Sequence, residues 1–180
     1  MNTGGPASLR QRALAYLATR EHSRAELARK LATARRSAGP TEARTEADAL
    51  ARLTAIEQLL DELQAQGLLS NTRYVASVLH RRAPRLGSAR IRQELRAKGV
   101  PEDTLRDGLA GLAESEEARA REVWQRRFGH LPAAGDAKEC ARQGRFLLAR
   151  GFAGEIVQRI LRGSGSGTAD PDEDTNVPPT

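Results

Sequence analysis

GLLSNTRYVASVLHRRAPRLGSARIRQELRAKGV, residues 67 to 100, is the stretch whose reading decides the fold. Asn71 is a good N-cap residue, and Tyr74, Val75, Val78 and Leu79 fall on one helical face before Pro84 stops the helix. Ser88 reads as the cap of a second helix, with Ile91 and Leu95 inward and Gly99 as its C-terminal stop. Pro101 then opens a third helix, where a missing N–H costs nothing and Glu102 and Asp103 complement the helix dipole; Leu105, Leu109 and Leu112 form its inner stripe. The segment is therefore a triplet of short helices.

The same pattern extends in both directions. Upstream, Leu9, Ala13, Leu14 and Leu17 keep helical spacing, and Ser23 with Glu26 reads as a capping box for a helix carrying Leu27 and Leu31. A loop containing Pro40 follows, then a long helix with Leu50, Leu53, Ile56, Leu60 and Leu63 that ends at Gly67. Downstream, a helix from about Glu114 to Phe128 carries Ala120, Trp124 and Phe128 on one stripe and is closed by Gly129. Another opens at Asp136 and ends at Gly151, and Ile156, Val157, Ile160 and Leu161 mark the last. No segment alternates in the manner of a strand, so the chain reads as all-α.

Internal similarity organises these helices. Residues 23 to 31 (SRAELARKL) superpose on 87 to 95 (GSARIRQEL) at an offset of 64, and 95 to 100 (LRAKGV) superpose on 147 to 152 (LLARGF) at an offset of 52. Each motif is the middle of a triplet. The expected division is a first triplet in 1–69 with an extended loop around 33–49, a second in 70–113, a third in 114–162, and a disordered acidic tail in 163–180. Three helices of some ten residues bury little on their own, so stacked units supply one another's core. An elongated, curved helical array follows.

Composition narrows the function. The chain has 180 residues and a net charge of +6, and its cations are 26 arginines beside only Lys30, Lys98 and Lys138. No run reaches the roughly 18 apolar residues of a membrane span, and no secretory leader is visible, so a cytoplasmic protein without membrane contact is expected. One cysteine excludes an internal disulfide, and dispersed histidines offer no metal cluster; no cofactor is expected. His22, His80 and His130 read as surface or capping residues, and Cys140 as a buried structural thiol. The run Gly163 to Gly167 has no preceding strand and reads as a tether. No catalytic constellation remains, so the chain is not read as an enzyme.

Charge is unevenly placed. Between Arg73 and Lys98 there are eight bases, Arg73, Arg81, Arg82, Arg85, Arg90, Arg92, Arg96 and Lys98, against Glu94 alone. One reading is a solvated face with Arg81 and Arg82 at a helix C-terminus, where cations are favoured. The other is a surface for phosphate or an acidic partner, which guanidinium serves through forked hydrogen bonds. One acid among eight bases favours the second, and all eight are candidate partner- or DNA-binding residues, with Arg81, Arg82, Arg85, Arg90 and Arg92 gathered at one helix-loop-helix corner. The tail holds four acids and no base. It reads as solvated and passive.

At these residues the chain resembles the RecX family, bacterial regulators of the RecA recombinase. The resemblance rests on residues 67 to 100 quoted above, on 23 to 31, on RFLLARGF from 145 to 152, and on the order of three triplets; it covers about residues 8 to 162. Ser70-Asn71, Val75 and the extended link near 33–50 depart from the family pattern, as does the tail. The resemblance implies a non-enzymatic negative regulator that binds the groove of the RecA–DNA filament and suppresses its ATPase, strand exchange and filament extension in recombinational repair and the SOS response. It implies no catalytic residue. Partners expected are the RecA filament and DNA through phosphate contacts, with the protein itself a monomer. The reading of the residues alone leaves a second class open, a stand-alone basic helical nucleic-acid-binding protein.

Overall fold

The computed structural model describes residues 6–33, 46–129 and 137–165, and all regular structure among them is helical. The helices are α1 (Pro6–Thr19), α2 (Arg24–Thr33), α3 (Glu46–Ala65), α4 (Asn71–Arg82), α5 (Ser88–Ala97), α6 (Glu102–Leu109), α7 (Glu116–Phe128), α8 (Ala137–Ala149) and α9 (Gly154–Gly165), with a 3₁₀ turn at Ala110–Leu112. Residues 34–45 of the expected link, His130 and the tail beyond 165 lie outside the described residues, whereas 46–49, read from sequence as part of that link, form the first turn of α3. α9 runs to Gly165, into the segment read from sequence as the start of the tail.

Core residues separate into three clusters, one per triplet. Leu9, Ala13, Leu27, Leu31, Ile56, Leu60, Leu63 and Leu69 join α1, α2 and α3. Tyr74, Val75, Val78, Ile91, Leu95, Val100, Leu105 and Leu109 join α4, α5 and α6. Ala120, Val123, Leu147, Phe152, Val157 and Ile160 join α7, α8 and α9. Most residues of the stripes read from sequence point into these clusters, because an amphipathic helix gains roughly 1.5–3 kcal/mol for each large aliphatic side chain it buries. Leu14, Leu50 and Leu53, read as part of those stripes, are instead exposed and lie outside the first cluster.

Three helices end on a left-handed glycine: Gly67 (φ 68°), Gly99 (φ 72°) and Gly151 (φ 83°). Each closes the same pair of hydrogen bonds. The glycine N–H reaches back three residues, to the carbonyls of Gln64, Arg96 and Leu148, and the next N–H reaches back five, to Leu63, Leu95 and Leu147. This is the Schellman arrangement, and in α5 and α8 its apolar follower (Val100, Phe152) enters the core beside the residue whose carbonyl accepts its N–H (Leu95, Leu147).

Two caps differ from expectation. Ser70, and not Asn71, caps α4 by accepting the Arg73 N–H at 3.2 Å; Asn71 instead turns its Oδ1 to the Arg24 N–H of α2 at 3.0 Å. Gly87 occupies the N-cap of α5 without a side-chain bond, and Ser88 is that helix's first residue. Both local caps were displaced by contacts between triplets.

Those contacts repeat. The Ser23 hydroxyl accepts the Glu26 N–H, capping α2, and donates to the Lys98 carbonyl at 2.6 Å. At the superposed place, the Gly87 N–H donates to the Arg150 carbonyl at 2.9 Å. Lys98 and Arg150 each precede the left-handed glycine, and that glycine lies against the start of the previous triplet's middle helix. A Cβ on Gly99 would come within 2.5 Å of Ala25 Cβ, one on Gly151 within 2.5 Å of Arg90, and one on Gly87 within 2.1 Å of the Gly151 carbonyl oxygen. Gly87→Ala should therefore lower stability by about 1–3 kcal/mol in urea unfolding. Gly111→Ala, whose Cβ would meet open space, should change it by less than about 0.5 kcal/mol.

Candidate partner interface

Buried charge marks both joints. At the first, the Glu26 carboxylate is 7% exposed and accepts from Arg20 at 2.9 and 3.1 Å, from Lys98 of the second triplet at 3.2 Å, and lies 3.0 Å from His22 Nδ1. His22 is fully buried, which corrects its reading as a surface or capping residue. Burial pushes its pKa below the ordinary 6.5, so the neutral ring is favoured, and its Nε2 has no hydrogen-bond partner. For Glu26, burial acts to raise the pKa, but the bonds from Arg20, His22 and Lys98 outweigh it and hold the carboxyl at about 2.

At the second joint, Glu116 of α7 performs the capping that Gly87 lacks. Its carboxylate, 6% exposed, accepts from the Ser88 hydroxyl at 2.6 Å and from the Ser88 N–H and Ala153 N–H, each at 3.3 Å. One carboxylate thus satisfies the N-terminal ends of α5 and α9, where negative charge is favoured. One turn later, Arg119 donates to the carbonyls of Ala83, Leu86 and Leu112 at 3.1, 2.8 and 2.9 Å. Glu116 and Arg119 are thus both structural, each bonding backbone groups of the second triplet. Cys140 is half-buried.

The eight candidate bases divide against this frame. Arg73 donates to Glu21 at 2.8 Å and to the carbonyls of Gly67 and Leu68, bracing the entry to α4. Arg96 forms a two-pronged pair with Glu102 at 2.7 and 2.9 Å, and Lys98 holds Glu26. Arg82 reaches Glu94 at 3.2 Å, the lone acid of the segment. Arg81 bonds the Ser77 carbonyl and Arg90 bonds Gln93, and neither makes an ion pair among the described residues. Arg85 and Arg92 are exposed and have no side-chain partner there.

Around Arg85 the structure gathers arginines of the third triplet. An open cleft of about 280 Å³ is lined by Arg85, Arg126, Arg127 and Arg150 together with Val123 and Phe146. Arg150 lies over the Phe146 ring, 3.6 Å from its centroid, and Arg126 donates to the Pro84 carbonyl at 2.8 Å across the joint. The sequence carried a signal for this grouping: Arg126-Arg127 ends α7 as Arg81-Arg82 ends α4, in the equivalent helix of the next triplet. Among the described residues no group of three His, Cys, Asp or Glu side chains could hold a metal, and no helix is long and apolar enough to cross a membrane. What the arrangement offers is four guanidinium groups of which, among the described residues, only Arg126 has a carboxylate within 4 Å, a setting suited to an anionic partner.

Comparison with known proteins gives a consistent family. Residues 70–109 match the family model of the RecX second three-helix domain, and residues 114–161 match the RecX third three-helix domain. Regulatory protein RecX of Leptothrix cholodnii is 56% identical over 155 residues, covering 86% of this chain and 88% of that protein. Regulatory protein RecX of Ralstonia nicotianae is 47% identical over 168 residues, covering 93% and 95%. Among solved structures, a crystal structure of regulatory protein RecX superposes with a TM-score of 0.63 at 22% identity over 86% of this chain and 72% of that one. RecX from Lactobacillus salivarius superposes at 0.61 and 21% identity, over 88% and 96%.

The Glu26 network predicts acid sensitivity. A carboxyl held at about 2 when folded, against an ordinary 4.5, stabilises the fold above about pH 4.5 and loses that contribution as pH falls towards about 2. Glu26→Gln should lower stability at pH 7 and flatten the pH dependence of the urea midpoint across that window.

Proposed function

The chain belongs to the RecX family of regulatory proteins, and from that premise we propose that it is a non-enzymatic negative regulator of the RecA recombinase. In this reading it lies along the groove of the RecA–DNA filament in the bacterial cytoplasm and reduces ATP hydrolysis, strand exchange and filament extension during recombinational repair and the SOS response. The observation that carries the proposal is 56% identity to a RecX regulatory protein over 86% of this chain.

The array of helix triplets supports it physically. A protein built of repeated units offers several modest contacts to a polymer that is itself repetitive, and simultaneous engagement multiplies their effect. We place the recognition surface at Arg81, Arg82, Arg85, Arg90 and Arg92. Of these five only Arg82 pairs with a carboxylate among the described residues, Glu94, whereas each of the other three candidates, Arg73, Arg96 and Lys98, holds one. The working division into triplets at 1–69, 70–113 and 114–162 goes with this reading, as does a monomer.

The alternative, a stand-alone nucleic-acid-binding protein, draws on the same arginines and differs in its partner. A DNA-dependent ATPase assay of RecA at substoichiometric protein separates the two. Strong inhibition at concentrations where bare DNA is weakly bound is expected, and Arg81→Ala with Arg82→Ala and Arg85→Ala should reduce it about tenfold or more. Absence of inhibition by the unaltered protein would refute the regulator, and full inhibition by the triple variant would refute this surface.

A further inference from the structure

We infer that the cleft between the second and third triplets is a binding site for a chain of phosphate groups. The proposal concerns the isolated chain and does not rest on the recombinase reading. Its residues, Arg126, Arg127 and Arg150 with Arg85, come from three separate places: the turn after α4, the end of α7 and the end of α8. They meet only because the joint brings those ends together.

Three features distinguish the cleft from an ordinary arginine-rich surface. The first is the missing counter-charge. Among the described residues only Arg126 of the four guanidinium groups has an acid within 4 Å, Glu122 at 3.9 Å, and no carboxylate of those residues lines the cleft. Elsewhere in the described chain arginines are commonly paired closely, as Arg20, Arg96 and Arg142 are at 2.7–2.9 Å. Like charges held together without acids raise the energy of the empty cleft, and an anion relieves that cost.

The second is preorganisation. Stacking on Phe146 holds Arg150, and the bond to the Pro84 carbonyl holds Arg126, so two of the four side chains lose little freedom on binding. Burial and the nearby charge of Arg127 both depress the Arg150 pKa, as expected of a cation placed to receive an anion. The third is shape. The cleft is open, so a linear ligand can pass along it with successive charges meeting successive guanidinium forks, which match phosphate oxygens in pairs.

Phosphate chains occur in polynucleotides and as free polyphosphates, and the test has an arm for each. The unaltered protein is titrated with a fluorescent oligothymidylate of about ten nucleotides, with no recombinase present, at several salt concentrations. Inorganic tripolyphosphate and poly-glutamate are added as competitors. The comparison protein carries Arg85→Gln and Arg127→Gln, both exposed and without side-chain partners, and its thermal unfolding should be unchanged. The charge-matched control carries Arg106→Gln and Arg159→Gln, which lie outside the cleft.

The cleft variant should bind the oligonucleotide about tenfold more weakly, and the slope of log K against log salt should become shallower by about 1.4, two phosphate contacts at ~0.7 each. The control should bind within about twofold of the unaltered protein. Competition by tripolyphosphate would show that phosphate alone suffices; binding that only the oligonucleotide supports would assign the site to a polynucleotide backbone. Equal weakening by the control, no measurable binding, or competition by poly-glutamate as strong as by tripolyphosphate would overturn the proposal.

Discussion

Two backbone carbonyls, those of Lys98 and Arg150, carry the connection between triplets. Each belongs to the residue before a left-handed glycine, where the helix has stopped and its last carbonyls have lost their intrahelical donors. The preceding triplet supplies the missing donor, the Ser23 hydroxyl in one case and the Gly87 N–H in the other. Glycine is required twice over, because its φ is positive and because the neighbouring helix start leaves no room for a Cβ. The array is thus a repetition of one joint as much as of one helix triplet.

The joints also determine where charge can be used. Glu26 and Glu116 are buried, and each is saturated by donors from both sides of its joint. A buried carboxylate is tolerable only when so satisfied, and removing one donor leaves an expensive unpaired charge. Arg20, Lys98 and Arg119 are accordingly committed to the interior architecture. Arg85, Arg127 and Arg150, which meet no carboxylate across a joint, face outward around one cleft. A chain with many arginines thereby separates those that build from those available to a partner.

Much of this was legible in the sequence because it is local. The stripe of Tyr74, Val75 and Val78, the pair Ile91 and Leu95, and the glycines 67, 99 and 151 follow from helical spacing and from backbone conformations open chiefly to glycine. The joint-bearing residues were harder to read because their partners lie far along the chain. Asn71 resembles a cap for its own helix, yet its oxygen serves α2, 47 residues away. His22 lies between polar residues and reads as exposed, while Glu26 and the Tyr16 ring enclose it. Glu116 is indistinguishable from its neighbours Glu114 and Glu117 until Ser88 and Ala153 are brought to it. The grouping of Arg85 with Arg126, Arg127 and Arg150 depends on the second joint in the same way.

Since the cleft and the array both follow from rigid joints, backbone residual dipolar couplings test the account most directly. N–H couplings from α4, α5 and α6 and from α7, α8 and α9 should fit a single alignment tensor in the structure described. Two tensors of different magnitude or orientation would show that the triplets move independently, and the account of the joints would fail.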